Sequence, residues 1–313
     1  MSREQVGART HRITHRTVYD YSDEVSSSYG RVWLRPRELA DQQCLHHELT
    51  LDPGADDLST GRDVYGNEMA YFHVTTPHTH LEVTGTSLVR VLPPDTDPAA
   101  TALAWEAARP TGVHGRPVLD LVLDQRDPAL LARAREYAAP SFAPGTPIGA
   151  AVQDLLHRVH TEFTYVAGST SVRTGLDEVL DARQGVCQDF ARLSVACLRS
   201  LGLAGRYVSG YLATDPPAGR DRVVGADATH AWAAVWLPSA RDGAGEWLGF
   251  DPTNDHLADE RYATLAWGRD YADVPPVRGI VFTDAETSTM TVSVDVAPVD
   301  VLGTDVAPVD VLG

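Results

Sequence analysis

Hydrophobic and polar residues alternate along residues 11–91, which is the pattern of half-buried β-strands. The alternation is clearest in RITHRTVYDY, HHELTLDP and HLEVTGTSLVRVLP, and polar runs such as SDEVSSS, DPGADD and STGRD separate these segments. VYGNEMAYF is typical of a β-hairpin with Gly66 and Asn67 at its turn. The pattern predicts a small antiparallel β unit at the start of the chain.

After PPDTDP the apolar positions take helical spacing, over residues 99–109, 127–138 and 147–161. A further helix is predicted at 187–201, with Gly202 as the residue that ends it. The strand-like runs RYVSGYLA, HAWAAVWLP and EWLGFDP follow, and GIVFTDAETSTMTVSVDV reads as one more hairpin. Helices followed by strands predict a mixed α+β core.

These changes of pattern divide the chain into five segments. They are a flexible N-terminus (1–10), a β-rich N-terminal domain (11–95), a mixed core (96–275), C-terminal strands (276–296) and a repeated tail (297–313). DVAPVDVLG occurs twice in succession near the end. One repetition is too short for a solenoid, so we expect the tail to be disordered.

Composition narrows the class of protein. The 313 residues are 43% hydrophobic and 22% charged, as in soluble globular proteins. The net charge of −17 argues against nucleic acid and anionic membranes as partners. The N-terminal MSREQVGARTHR lacks the apolar run of a secretory signal, and no window is apolar enough to cross a bilayer. We therefore expect a cytoplasmic protein.

The cysteines are sparse and contain no CxxC. Cys44, Cys187 and Cys197 fit neither a disulfide framework nor a cysteine-rich zinc site. Cys187 lies in RQGVCQDFARL, at the predicted start of a helix, where the partial positive charge of the helix stabilises a thiolate. Cys187 could be a nucleophile or a small buried residue, whereas Cys197 lies inside the helix and is predicted to be a core residue.

Two further segments supply candidate partners for that thiol. In DATHAWAAVWLP, alternation puts His230 and Trp232 on one strand face, and the histidine is either a core residue or a base. In EWLGFDPTND, Asp251 either caps a turn or accepts the Nδ1 proton of His230. Only the turn-rich PSARDGAGE separates the two strands, so an antiparallel pair is predicted to bring His230 and Asp251 together.

Taken together, these segments resemble the transglutaminase-like superfamily. The matching pieces are FTYVAGSTSV, RQGVCQDFARL, GRYVSGYL, DATHAWAAVW and WLGFDPTND. The chain is most similar to the bacterial proteins that carry a β-rich domain ahead of the core. The resemblance implies an α+β fold with a papain/transglutaminase-like core, in which a helix carrying the cysteine packs on an antiparallel sheet carrying the histidine and aspartate.

The resemblance also implies a reaction. Cys187 would be the nucleophile, His230 the base and Asp251 the residue that orients the histidine, in acyl transfer through a thioester. Hydrolysis of a peptide or amide bond is favoured over transamidation onto an amine. The expected partners are a peptide or protein amide substrate, an amine acceptor for transamidation, and a protein partner through the N-terminal domain. The alternative is a non-catalytic binding or scaffold module; a thiol redox protein is disfavoured because no resolving cysteine lies near Cys187 in sequence.

The sequence offers two candidates for a second oxyanion donor. In the animal transglutaminases a tryptophan before the nucleophile stabilises the oxyanion, but FTYVAGSTSV has Tyr165 and no tryptophan. Tyr165 and Gln188 are the candidates beside the backbone N–H of Cys187, although packing or capping is the simpler role for both.

No cofactor or metal is assigned. The histidine pairs His46-His47 and His78-Thr79-His80 lack a third ligand nearby and are predicted to lie on solvated strand faces.

Overall fold

The computed structural model describes residues 7–124, 126–171, 174–214, 229–239, 241 and 245–299, without the side chain of His114. Most of the predicted flexible N-terminus and nearly all of the repeated tail lie outside the described residues. The strands and α-helices alternate in blocks along the chain, as the sequence predicts. The structure has the predicted α+β fold.

A seven-stranded antiparallel sheet forms around one very long strand. Its first five strands are β1 (Arg9–Val32), β2 (Gln42–Asp52), β3 (Asp57–Arg62), β4 (Glu68–Val74) and β5 (His78–Val91), in the order β2-β5-β1-β4-β3. Alternate residues of β5 are buried from Leu81 to Val91, which is the predicted strand pattern. The predicted hairpin is confirmed, since β3 and β4 pair through a turn in which Gly66 has a φ of 72°.

The predicted hairpin near the C-terminus is wrong. Its two strands, β13 (Val277–Thr283) and β14 (Ser288–Pro298), both pair with β1. β13 lies opposite residues 25–32 and β14 opposite residues 11–21, so the two strands lie end to end along β1. A strand of 24 residues is long enough to offer pairing groups to both, and local sequence patterns cannot reveal such distant pairing.

Six α-helices and a second sheet form the rest of the described structure. The helices are α1 (Pro98–Thr101), α2 (Arg116–Leu119), α3 (Pro128–Ala138), α4 (Ile148–Glu162), α5 (Leu176–Ala182) and α6 (Cys187–Ser200). The strands are β6 (Thr164–Tyr165), β7 (Gln184–Gly185), β8 (Gly205–Leu212), β9 (Thr229–Leu237), β10 (Glu246–Asp251), β11 (His256–Leu257) and β12 (Tyr262–Gly268). β8 to β12 form an antiparallel sheet in the order β11-β10-β9-β8-β12, and β6 pairs with β7 in parallel.

The helix predicted at 99–109 is shorter than expected. It consists of α1 and a 3₁₀ turn at Trp105–Ala108. The chain between them pairs with the segment before α4 instead, because Trp105 N–H donates to the carbonyl of Thr146 and Ile148 N–H to that of Leu103. Tertiary backbone hydrogen bonds here replace those of a continuous helix.

α6 is the central element of the core. It is buried along most of its length and packs against β8 and β9, as well as against α3. Gly202 has a φ of 81° just after its last turn, which confirms the predicted helix end. Ile13 and Val294 of the N-terminal sheet belong to the same hydrophobic cluster as α6, so the two sheets share one core. None of the helices in the described part of the chain is long and apolar enough to cross a membrane.

Candidate active site

Cys187 is the first residue of α6. The preceding Val186 is extended, and its N–H donates to Oδ2 of Asp189 at 3.0 Å, so a side chain from the first turn closes the helix start. A Cβ on Gly185 would lie 3.0 Å from Cβ of Asp189, so the chain enters the helix too closely for a larger residue. The sequence prediction of a cysteine at the helix start is confirmed.

The three cysteines differ in accessibility. All are free thiols, but Cys44 and Cys197 are buried whereas Cys187 is only half-buried. Burial raises the pKa of Cys197 to about 12, which is the behaviour predicted for a core residue. Of the three, Cys187 is the cysteine that a reagent in solution can reach.

His230 and Asp251 form a buried pair on adjacent strands. β9 and β10 are antiparallel, with Ala233 opposite Phe250, as the turn between them predicts. His230 Nε2 lies 2.7 Å from Oδ2 of Asp251, and their side chains are 11% and 0% exposed. The expected contact through Nδ1 is wrong, because the ring presents Nε2 to the carboxylate. Nδ1 is therefore the ring nitrogen that remains for the thiol of Cys187.

Asp251 accepts hydrogen bonds from three neighbours besides His230. Tyr262 Oη and Asn254 Nδ2 donate to Oδ2 at 2.9 Å and 2.7 Å, and the N–H of Thr253 donates to Oδ1 at 2.9 Å. Burial alone would raise the pKa of Asp251, but the hydrogen bonds from His230, Asn254 and Thr253 and the charge of His230 lower it. Asp251 is therefore an ionised carboxylate in a dry environment.

The same contacts act on the imidazole. Burial favours the neutral ring, but hydrogen bonds and charges from Asp251 and Cys187 outweigh it and raise the pKa of His230 to about 10. Trp232 stacks beside the ring with centroids 6.1 Å apart. At neutral pH the ring is therefore cationic between an ionised carboxylate and a cysteine, which is the arrangement that nucleophilic cysteine chemistry uses.

A cleft of about 450 Å³ opens over Cys187 and His230. Tyr165 and Gln188 line it, so both candidate oxyanion residues lie beside the thiol. Tyr165 is 53% exposed, and partial burial and the charge of Cys187 raise its pKa. Its place beside α6 comes from the pairing of β6 with β7, the strand that leads into Cys187. A larger cleft of about 650 Å³ on the other face of the sheet touches neither Cys187 nor His230.

Sequence reasoning missed two of the residues that hold Asp251. The contact of Asn254 could have been predicted, since Asn254 follows Asp251 by three residues in the same turn-forming GFDPTND segment. The contact of Tyr262 could not, because β12 reaches this site only by pairing with β8 at the far edge of the sheet.

Of the four histidines in the two sequence pairs, three have side-chain hydrogen-bond partners, and the fourth, His46, is exposed as predicted. His78 is buried and contacts Ser28 Oγ at 2.9 Å, so its predicted place on a solvated strand face is wrong; β1 covers it. His80 pairs with Asp20, and His47 contacts Ser87. Burial lowers the pKa of His47 to about 4. Within the described residues, no group of three or more His, Cys, Asp or Glu side chains is arranged to hold a metal ion.

Comparison with known proteins identifies the family to which this fold belongs. Residues 11–90 match the bacterial transglutaminase-like N-terminal region, and residues 135–252 match the transglutaminase-like superfamily core. The chain belongs to the bacterial transglutaminase-like proteins. Uncharacterised proteins of Mycobacterium bovis and Mycobacterium tuberculosis are 55% identical to it over 297 residues, covering 94% of each chain.

A solved structure of the same fold comes from Cytophaga hutchinsonii. That protein, described as a candidate cysteine protease, superposes with a TM-score of 0.71 at 19% sequence identity. The match covers 96% of this chain and 93% of the other. At that identity the likeness establishes the fold.

Proposed function

We propose that this protein is a cysteine-dependent acyl transferase that works through a thioester and mainly hydrolyses a peptide or amide bond. The observation that carries the proposal is the buried contact between His230 Nε2 and Asp251, beside an accessible Cys187 at a helix start. A base held by a carboxylate next to a nucleophile is the general arrangement for covalent acyl transfer.

In the proposed mechanism, Cys187 attacks the carbonyl carbon of the substrate as a thiolate, and the thiol proton is held by His230. The C–N bond breaks, and His230 donates a proton to the departing amine. A thioester is left on Cys187. Water then attacks the thioester, His230 accepts its proton, and the carboxylic acid leaves as the Sγ–carbon bond breaks. An amine in place of water gives transamidation.

The remaining residues act through charge and orientation. Asp251 fixes the ring of His230 and stabilises its cationic form. The backbone N–H of Cys187 has no acceptor inside the helix, because it belongs to the first turn, and it is the proposed oxyanion donor. Tyr165 and Gln188 line the same cleft and are the candidates for a second donor.

Two observations support hydrolysis as the main outcome. The cleft is open to solvent at a half-buried Cys187, so water reaches the thioester. The description of the Cytophaga hutchinsonii protein as a candidate cysteine protease is consistent with hydrolysis.

The test is the rate of alkylation of each cysteine against pH, read by peptide mass spectrometry. We expect Cys187 to react faster than Cys44 and Cys197, and the profile of Cys187 to move to higher pH in His230→Ala because its cationic partner is lost. His157→Ala is the matched control, since His157 pairs with Asp255 on the surface. Amide donors with and without an added amine then separate hydrolysis from transamidation.

An unchanged profile in His230→Ala would contradict the proposal. The non-catalytic binding or scaffold module would then be the better description of this fold.

A further inference from the structure

One face of the N-terminal sheet extends beyond the core that it packs against. On β14, Val296 and Val294 are 1% and 0% exposed in the shared core. The next two residues on the same face, Val292 and Met290, are 43% and 62% exposed. The face that is buried at one end of the strand is therefore open at the other.

The open end lies over the cleft. Met290 is paired with Tyr19 of β1, and Val292 with Thr17, so these side chains share the face. Tyr19, Met290 and Val292 line the cleft together with Cys187 and His230. We call Tyr19, Met290 and Val292 the apolar ledge.

The cleft under the ledge is also poor in charge. None of the described residues that line it is Asp, Glu, Lys or Arg, although the chain is 22% charged and carries a net −17. His15, a second imidazole on its wall, is 1% exposed, and burial lowers its pKa to about 4, so it is neutral at physiological pH. Outside the reacting groups, a charged substrate group would find no partner among these residues and would lose its hydration.

We propose that the apolar ledge binds an apolar side chain of the acyl donor, so that the N-terminal sheet helps to determine which substrates the active site accepts. The inference rests on the proposed function, because it concerns the substrate of the same cleft. Covering Met290 and Val292 with an apolar group removes exposed apolar surface from water. The ledge continues an interface that already buries apolar residues of both sheets, so its chemistry matches such an occupant.

The test compares four dipeptide chloromethyl ketones, which differ only in carrying two Leu, Phe, Glu or Lys residues. Each forms a bond between Cys187 Sγ and the methylene carbon as chloride leaves, and the rate constant for Cys187 is read by mass spectrometry. We expect the Leu and Phe reagents to react about tenfold or more faster than the Glu and Lys reagents, which is the scale of discrimination by apolar pockets.

Charged variants of the ledge sharpen the test. Met290→Glu should raise the rate of the Lys reagent relative to the Leu reagent, and Met290→Lys should do so for the Glu reagent. Rates are divided by that of iodoacetamide, which corrects for changes in the thiol itself. Ile280→Glu is the matched control: Ile280 is 68% exposed on β13 of the same sheet and does not line the cleft. It should leave all four ratios unchanged.

The outcomes separate the two proposals. Suppose that iodoacetamide labelling of Cys187 depends on His230. If the four reagents then react at equal rates, or if their rate ratios are the same in the wild type and in both Met290 variants, the ledge proposal is overturned and the proposed function stands. If labelling of Cys187 does not depend on His230, the proposed function fails and the ledge proposal fails with it.

Discussion

Two histidine–aspartate pairs of nearly equal length lie in different surroundings in this protein. His230 and Asp251 are 2.7 Å apart, and His157 and Asp255 are 2.8 Å apart. The side chains of the first pair are 11% and 0% exposed, and those of the second are 60% and 32% exposed. A short distance is therefore common to both, and burial next to a thiol distinguishes the candidate site.

The difference in burial changes how each aspartate affects the pKa of its histidine. For His157 the hydrogen bond and charge of Asp255 raise the pKa with little opposition, in a position that water screens. For His230 burial opposes the charged ring, and Asp251 together with Cys187 overcomes that opposition to reach about 10. Burial and the charge of Asp251 act strongly and in opposite directions on the pKa of His230. Removing a member of the buried pair should therefore change stability and activity more than removing a member of the exposed pair.

The largest expected effect comes from removing the charge of Asp251. Asp251→Asn should lower kcat/KM by about 10³-fold, because a neutral amide replaces the carboxylate that orients His230 and stabilises its cationic form. It should also cost about 3 kcal/mol of stability, since the ring stays buried without its counter-charge. Steady-state kinetics and urea unfolding measure the two effects. Asp255→Asn is the control and should change neither; equal effects in both variants would remove the distinction between the pairs.

An intermediate effect is expected in the pH dependence of stability. The pKa of His230 is raised in the folded protein above the ordinary value of 6.5, so the native state holds the proton more tightly than the unfolded state. The resulting stabilisation is fully present below about pH 6.5 and is lost as pH rises towards 10, the pKa that the folded protein gives this ring. Urea unfolding between pH 6 and 10 should show this decline in the wild type and a flatter profile in His230→Gln.

The matching control is His157→Gln, which should change the slope much less than His230→Gln does, because water screens the exposed pair. If the wild type and His230→Gln decline in parallel, the proton on His230 does not contribute to stability in this range.

The smallest effect is expected at Tyr262. Tyr262→Phe removes one of the hydrogen bonds to Asp251 and should cost about 1 kcal/mol of stability. A tenfold loss in kcat at most is expected, because His230 and Asn254 still hold the carboxylate. Thermal unfolding and kinetics check this, and a loss as large as that of Asp251→Asn would mean that Tyr262 takes part in the chemistry directly.

The sequence predicted those parts of the site that depend on local pattern. The start of α6 at Cys187, the faces of β9 and the antiparallel pairing that joins His230 to Asp251 all follow from periodicity and short turns. The nitrogen that faces Asp251 could not be predicted, because it depends on the rotation of a side chain in a packed site.

Contacts between strands that are distant in the chain could not be predicted from the sequence either. Tyr262 reaches Asp251 through β12 at the edge of the sheet, and β13 and β14 add to β1 instead of to each other. These arrangements are set by which edges remain open after the local elements have formed, and such edges leave no periodic signal in the chain.

The long β1 strand has a consequence for synthesis of the protein. Of the described strands, β1 is made before all the others, and β14, which supplies Met290 and Val292, is made after them. Because domains tend to fold as they emerge from the ribosome, the helix carrying Cys187 can form while part of the cleft wall is still missing. Under the ledge proposal, selectivity would then be acquired after the nucleophile is in place, when β14 pairs with β1.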